Sequence, residues 1–395
     1  MAMIRPYFES SRAAGLSALD AFLPRAGKDY ANERNYDWGP DKRTNVSGLS
    51  PWLRLRQITE EEVVRAVLDR HDARGASKFI DEVCWRTYWK GWLQLRPTIW
   101  SEYRQQVREL GELQKDSEAL QNAMSGRTGL DCFDAWAREL IETGYLHNHA
   151  RMWVASIWIH TFKLPWELGA DWFLRHLLDG DPASNTLSWR WVAGRHTAGK
   201  SYLATRSNIR RYTNDRFIVN VDLATHPIAV PACELPRIKP LASSDDWVDL
   251  REAAVLLTDD DLSAGEWIKS QIKVTSMAGL LPASGYADSG TLDRVVEFRR
   301  RAMKERTEHI LESIELVREW LIANQTEALI VAEPPVGFAA ELLPEIRQTC
   351  ADLRVELRVI RRPWDDHFWP HATHGFFRFK KVIPAALAQW TKHEG

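Results

Sequence analysis

The sequence predicts a mainly α-helical domain followed by a smaller α/β domain of Rossmann-like type with a parallel sheet. Two patterns carry that reading. From Glu60 to about Arg211 apolar residues recur at intervals of three and four, as in Val63, Val64, Val67 and Leu68 and again in Phe133, Trp136, Ala137, Leu140 and Ile141. Beyond residue 245 short apolar runs alternate with helical segments, the pattern of βαβ units. The runs are Ala253 to Leu257, Met277 to Leu281, Ala328 to Ala332 and Val355 to Ile360, and the clearest helical segment is Thr291 to Asn324. Between the two textures, Ile218 to Ser244 has no helical period and carries Pro227, Pro231, Pro236 and Pro240, which reads as a linker. The expected division is 1–217, 218–244 and 245–395.

Composition bounds the function. A chain of 395 residues suits two domains of ~100 to 200 each. Hydrophobic residues at 45% and charged residues at 27% exclude a mainly disordered chain. No stretch approaches the ~18 uninterrupted apolar residues of a membrane helix, and MAMIRPYFESSRAAG lacks the apolar core of a secretion signal. A cytoplasmic location, no membrane partner and a monomer are the expectations. Cys84, Cys132, Cys233 and Cys350 are too widely spaced for a disulfide framework or a CxxC metal site, so reduced thiols are expected. Lys and Arg outnumber Asp and Glu by 33 to 29 in residues 1–240, whereas 241–395 carry 19 against 25. The weakly basic first part is compatible with a polyanionic partner. Most of the 19 tryptophans read as large core residues with one polar handle each.

Several local features point toward a bound dinucleotide. SGLSPWL (Ser47 to Leu53) places small and hydroxyl residues before what reads as an extended segment, where amides and hydroxyls can hold a phosphate. The same letters also fit an ordinary turn. LLDGDPASN (Leu177 to Asn185) sets two carboxylates around a glycine, which also suits a surface turn. Arg86 and Arg151 lie in apolar stretches, where a charge is costly unless paired, and Asp179 or Asp181 are natural partners. His147 and His149 are two apart on a predicted helix and so do not converge on one metal ion. No GxGxxG or GxxxxGK[ST] accompanies the strands.

Taken in order, Tyr30 with Arg34, SGLSP, EVCWR, GRTGLDCFDAWARELIETGYLHNHARMW and LLDGDPASNTLSWRWVAG resemble the FAD-binding domain of the photolyase/cryptochrome family over close to half the chain. The resemblance implies FAD as cofactor. It implies that Tyr30 lies beside the flavin phosphates, that Val46, Ser47, Gly48, Leu49 and Ser50 form the loop around the pyrophosphate, and that Arg86, Asn148, Arg151, Asp179, Gly180 and Asp181 clamp the folded cofactor. Val46 stands where many members have threonine, removing one hydroxyl contact. Asn185 matches the residue facing flavin N5, asparagine in photolyases and aspartate in plant cryptochromes.

The same resemblance implies light-driven repair of cyclobutane pyrimidine dimers, with damaged DNA as partner. Glu82, Trp85, Asn148, Met152 and Trp191 match the residues lining the pocket for the flipped lesion, and base flipping is a step established for photolyases. Of these, Glu82, Asn148 and Met152, with Asn185, are the catalytic candidates; Arg34, Glu82, Trp85, His149, Met152 and Trp191 are the DNA-side candidates. His149 stands where dimer photolyases carry arginine against the DNA backbone, and a neutral imidazole offers neither the charge nor the fork. Trp189 and Trp166 match the first two members of an electron-transfer triad; the third falls at Leu113, for which Tyr103 or Trp100 are substitutes. The (6-4) photolyases carry an HHxxRH pattern where this chain reads HNHARM, and a cryptochrome-like photoreceptor is the alternative outside enzymes. Arg362 to Trp390 resembles the end of the family's antenna domain, which implies the two modules in permuted order and leaves a second, antenna chromophore as an open expectation.

Overall fold

The computed structural model describes residues 8–196, 201–228, 234–282 and 290–390. Its first part is helical throughout. Helices α1 (Arg12–Phe22), α2 (Lys28–Glu33), α3 (Ser50–Arg54) and α4 (Glu60–Leu68) lead into the long α5 (Ser77–Gln94) and α6 (Thr98–Gln114). They are followed by α7 (Glu118–Ser125), α8 (Asp131–Thr143), α9 (Asn148–Ser156), α10 (Trp166–His176), α11 (Pro182–Val192) and α12 (Arg206–Tyr212). Local chemistry sets several starts. Thr59 and Glu62 close a reciprocal capping box on α4, and Asp181 caps α11 with Pro182 in its first turn.

Helix α5 is apolar or aromatic on most of its surface and is therefore enclosed on several sides, against α4, α11 and the C-terminal helices. A Cβ on its Gly91 would lie 2.9 Å from the Trp369 Cα. Glycine here lets a second stretch of backbone lie directly on the helix.

The C-terminal part is a five-stranded parallel sheet of β1 (Glu252–Thr258), β2 (Lys273–Leu280), β3 (Ile310–Leu311), β4 (Ala328–Ala332) and β5 (Glu356–Ile360), in the order β3-β2-β1-β4-β5. Helices α13 (Ala264–Lys269), α14 (Asp293–Lys304), α15 (Ile314–Ala323) and α16 (Phe338–Leu353) connect the strands. Both faces are covered. Ala254 and Leu256 of β1 pack with Trp320 and Ile346, while Val255 and Leu257 pack with Ile268 and Ile360. Strand order reverses between β1 and β4, so their carboxyl ends mark the switch point of the sheet. The residues after β1, Asp259 to Asp261, are buried there against the helical part.

The chain ends with α17 (Pro363–Phe368), α18 (Phe376–Phe379) and α19 (Ile383–Trp390). Trp364, Phe368, Phe376, Phe379 and Ile383 belong to the same buried cluster as Trp52, Tyr88 and Trp136 of the helical part. The final helices thus complete the helical core, although the chain reaches them through the sheet.

Two expectations need correction. The Thr291–Asn324 segment is not one helix: α14 ends at Lys304, β3 follows, and Ser313 caps α15 by accepting from the Leu316 amide. A two-residue strand is too short to interrupt a periodic pattern visibly. Ser50 to Arg54 is helical rather than extended, since Pro51 in a first turn costs no hydrogen bond. Among the described residues no helix is long and apolar enough to cross a membrane. Cys84, Cys132 and Cys350 are free thiols, and Cys233 lies outside the described residues.

Candidate functional site

The turn Leu177–Asp181 between α10 and α11 organises the site. It is buried, not a surface turn: Asp179 is 4% exposed and Asp181 1%. Its geometry is set from several directions. Arg151 on α9 donates to Asp179 at 2.9 Å and to the Leu146 carbonyl at 3.0 Å. Arg54 on α3 donates to the Gly180 carbonyl at 2.9 Å, and Arg299 on α14 reaches the same oxygen at 3.3 Å. A Cβ at Gly180 would meet the Leu174 and Leu177 carbonyl oxygens at 2.9 Å, so the turn closes only with glycine.

Arg86 and Lys90 lie one turn apart on α5 and both face Asp181, at 3.6 and 3.8 Å. Burial works against ionisation of Asp181, but Lys90, Arg86 and Arg54 outweigh it and hold the carboxyl down to about 2. Burial opposes ionisation of Asp179 as well, and Arg151 with Arg86 keeps it below the usual range. Burial and then Arg56 lower the Lys90 ammonium, with Asp181 pulling the other way.

Arg86 Nη1 and Lys90 Nζ are buried and have no protein hydrogen-bond partner among the described residues. Two such donors side by side in the buried turn leave a place for a partner that is not protein. Two cationic donors beside a carboxylate acceptor match a folded flavin dinucleotide, which offers anionic phosphates and a ring with an N–H edge. The donor set fits FAD.

Asn185 lies one turn into α11. Its Nδ2 donates to the Ala170 carbonyl at 2.7 Å, which fixes the amide and leaves Oδ1 as the acceptor. Ser47 to Ser50 form the loop into α3, with Gly48 at φ 64° and the Leu49 amide donating to the Ser47 hydroxyl at 3.4 Å. Val46 packs against the core with its apolar side chain. Tyr30 on α2 stands edge-on to Phe22 and Phe79, beside the Arg34–Glu82 pair.

The DNA-side candidates divide. Glu82 ion-pairs with Arg34, and burial raises its carboxyl against the pull of Arg34. Glu82 and Trp85 are half-buried, one turn apart on α5. Asn148 is exposed in the first turn of α9 and Met152 half-buried one turn on. Trp191 stacks on Tyr202 at 5.8 Å. One face of Trp85 is taken by Phe376, at 3.7 Å and 10° between planes.

His149 is the correction. It is 8% exposed, its Nδ1 lies 2.9 Å from the Asn35 carbonyl, and its ring stacks on Trp153 at 4.2 Å. It is a core residue rather than a contact for a phosphate. His147, the N-cap of α9, turns Nδ1 to the His149 amide at 3.1 Å. Among the described residues no group of His, Cys, Asp and Glu could hold a metal.

Trp189 lies edge-on to Trp158 and Phe173, in a space opened by Gly169, where a Cβ would come 2.5 Å from the Trp189 ring. Trp166 stacks on Tyr103 at 5.7 Å, and Tyr103 contacts Trp100 at 5.5 Å. Leu113 is 78% exposed.

Sequence reasoning missed Arg54, Lys90, Arg299 and Phe376. Lys90 alone carried a legible signal, a cation one turn after Arg86 in an aromatic helix.

Fold and site together define a helical flavin-binding domain. Residues 79–219 match the family model described as the FAD binding domain of DNA photolyase. The deoxyribodipyrimidine photo-lyase of Streptomyces griseus is 36% identical over 192 residues, 45% of this chain and 41% of that protein. That of Agrobacterium fabrum is 34% identical over 182 residues, 45% of this chain and 37% of that protein. A crystal structure of a bacterial class III photolyase from Agrobacterium tumefaciens aligns with 28% identity and a TM-score of 0.44, over 52% of this chain and 43% of that one. The chain spans about two fifths of the length of the curated relatives it matches.

Proposed function

We propose that this chain is a light-driven DNA repair enzyme that splits cyclobutane pyrimidine dimers. The observation that carries the reading is the layout of α5: Arg86 faces the Asp179–Asp181 clamp, while Glu82 and Trp85, one turn earlier, stand half-open with Arg34. One helix therefore presents a cofactor-side cation and a substrate-side acid and aromatic face. When bound, reduced FAD supplies a light-excited electron that is passed to the dimer and returned after the ring opens.

The chain's own residues hold and bias the reactants. Arg86, Lys90 and Arg151 take anionic or carbonyl oxygens of the cofactor, Asp179 accepts from its ring N–H edge, and Asn185 offers Oδ1 to a proton at N5 without supplying one itself. Glu82, its carboxyl raised, hydrogen-bonds the polar edge of a flipped dimer, and Trp85 with Trp191 gives it apolar walls. Residues 1–217, completed by α17–α19, form the FAD domain, 218–244 the linker, and the sheet that follows an antenna-like module, in a monomer.

The test is recovery of ultraviolet absorbance from a dimer-containing oligonucleotide under blue light with chemically reduced, FAD-loaded protein. No recovery with FAD intact overturns the reading. A cryptochrome-like photoreceptor is the second reading, favoured by the burial of His149. A light-dependent change in partner binding without lesion turnover selects it.

A further inference from the structure

The C-terminal turn α18 lies along the outer side of α5 and is tied to it repeatedly. Phe376 stacks on Trp85, the Tyr88 hydroxyl donates to the His374 carbonyl at 2.8 Å, Arg96 donates to the Thr373 carbonyl at 2.8 Å, and Lys380 ion-pairs with Asp81. Phe376 and Phe379 face inward, 5% and 1% exposed. Phe377, between them, points outward and is 84% exposed.

A single exposed aromatic residue is common on protein surfaces. This one differs in its mounting and its neighbours. It is held on a turn fixed at both ends, one residue from Phe376, which stacks on the half-buried Trp85. Arg378 and Lys381 are exposed beside it, and Arg34 and Lys78 act on Glu82. Four residues offer too narrow an apolar face to lie on a membrane. A projecting phenyl ring between cations instead suits a polyanion whose stacked layers can be parted, because apolar wedges inserted at base steps hold a distorted duplex while cations take its phosphates.

We propose that α18 is a lip of the DNA-binding face, with Phe377 entering the base stack beside the flipped lesion and Arg378 and Lys381 contacting flanking phosphates. The inference rests on the repair reading, from which it takes the position of the lesion. It gives the C-terminal segment a part in recognition.

The experiment is fluorescence anisotropy of a labelled duplex, with and without one thymine dimer, titrated with FAD-loaded full-length protein across a salt series. The variants are Phe377→Ala, the pair Arg378→Glu with Lys381→Glu, and Lys273→Glu as control at the amino-terminal end of β2. The double reversal is expected to weaken both duplexes about tenfold or more and to flatten the slope of log Kd against log salt by about 1.8. Phe377→Ala is expected to weaken the dimer duplex about tenfold with little effect on intact DNA, and Phe377→Tyr to restore it. Flavin absorbance confirms that each variant retains its fold. Should the wild type prefer the dimer duplex while every variant binds like Lys273→Glu, the lip is not part of the interface and the repair reading stands. Should the wild type bind neither duplex, the DNA reading fails and the lip with it.

Discussion

Arg151 and Asp179 form a pair at 2.9 Å in which the carboxylate is also held by the Ser50 hydroxyl and faces Arg86. The carboxylate thus ties α9, α3 and α5 to the clamp turn. Asp179→Asn keeps the shape but removes the charge, leaving Arg151 uncompensated beside the cofactor. Flavin retained through gel filtration, read as the flavin-to-protein absorbance ratio, is expected to fall severalfold, because the uncompensated Arg151 disturbs the turn that holds the cofactor. An unchanged ratio contradicts the assignment.

The clamp turn is also braced from the sheet. Arg54 bonds the Gly180 carbonyl and pairs with Asp260 at 2.7 Å, and Arg299 pairs with Asp259 at 3.1 Å. Arg54→Ala strips a cation from buried acids and is expected to cost about 3–5 kcal/mol, measured by urea unfolding. Flavin release should precede global unfolding in that variant, because the turn loses its brace before the core does.

Stability should fall with acid earlier than carboxylates alone would bring about. Burial holds His176 and His196 down to about 4 and lowers His147 also. Their unfolded counterparts take a proton near ~6.5, so the unfolded state binds more protons through that window. The contribution is therefore whole above about 6.5 and is lost as pH falls toward 4, each group adding up to about 1.4 kcal/mol per pH unit. Asp181, held at about 2, adds a second loss below ~3.9. A urea midpoint that stays flat between about pH 7 and 5 contradicts this.

The contiguous rings of Trp166, Tyr103 and Trp100 offer an electron path where position 113 offers none. Tyr103→Leu removes the middle ring. Photoreduction of the flavin by an external donor is expected to slow by an order of magnitude or more, while repair by chemically pre-reduced protein is unaffected. Equal slowing of both places Tyr103 outside the path.

Much of this was readable from the sequence because it is local. The helical period, the strands at 253–257 and 328–332, and the expectation that Arg86 and Arg151 pair with Asp179 or Asp181 follow from spacing and burial cost; which carboxylate meets which arginine is set by the turn. What escaped depends on distant parts of the chain meeting. Arg54 and Arg299 are far apart in sequence yet meet at one carbonyl, and Phe376 reaches Trp85 only after the chain has passed through the whole sheet. His149 was placed on the DNA side by its match to an arginine position, but its stack on Trp153 depends on the packing around α9.

The most direct test of the account is blue-light illumination of chemically reduced, FAD-loaded protein with an oligonucleotide carrying cyclobutane dimers, followed by base absorbance. The account predicts recovery that requires light and is lost in Glu82→Ala and Asp179→Asn. Absence of recovery while the flavin spectrum remains intact would contradict it.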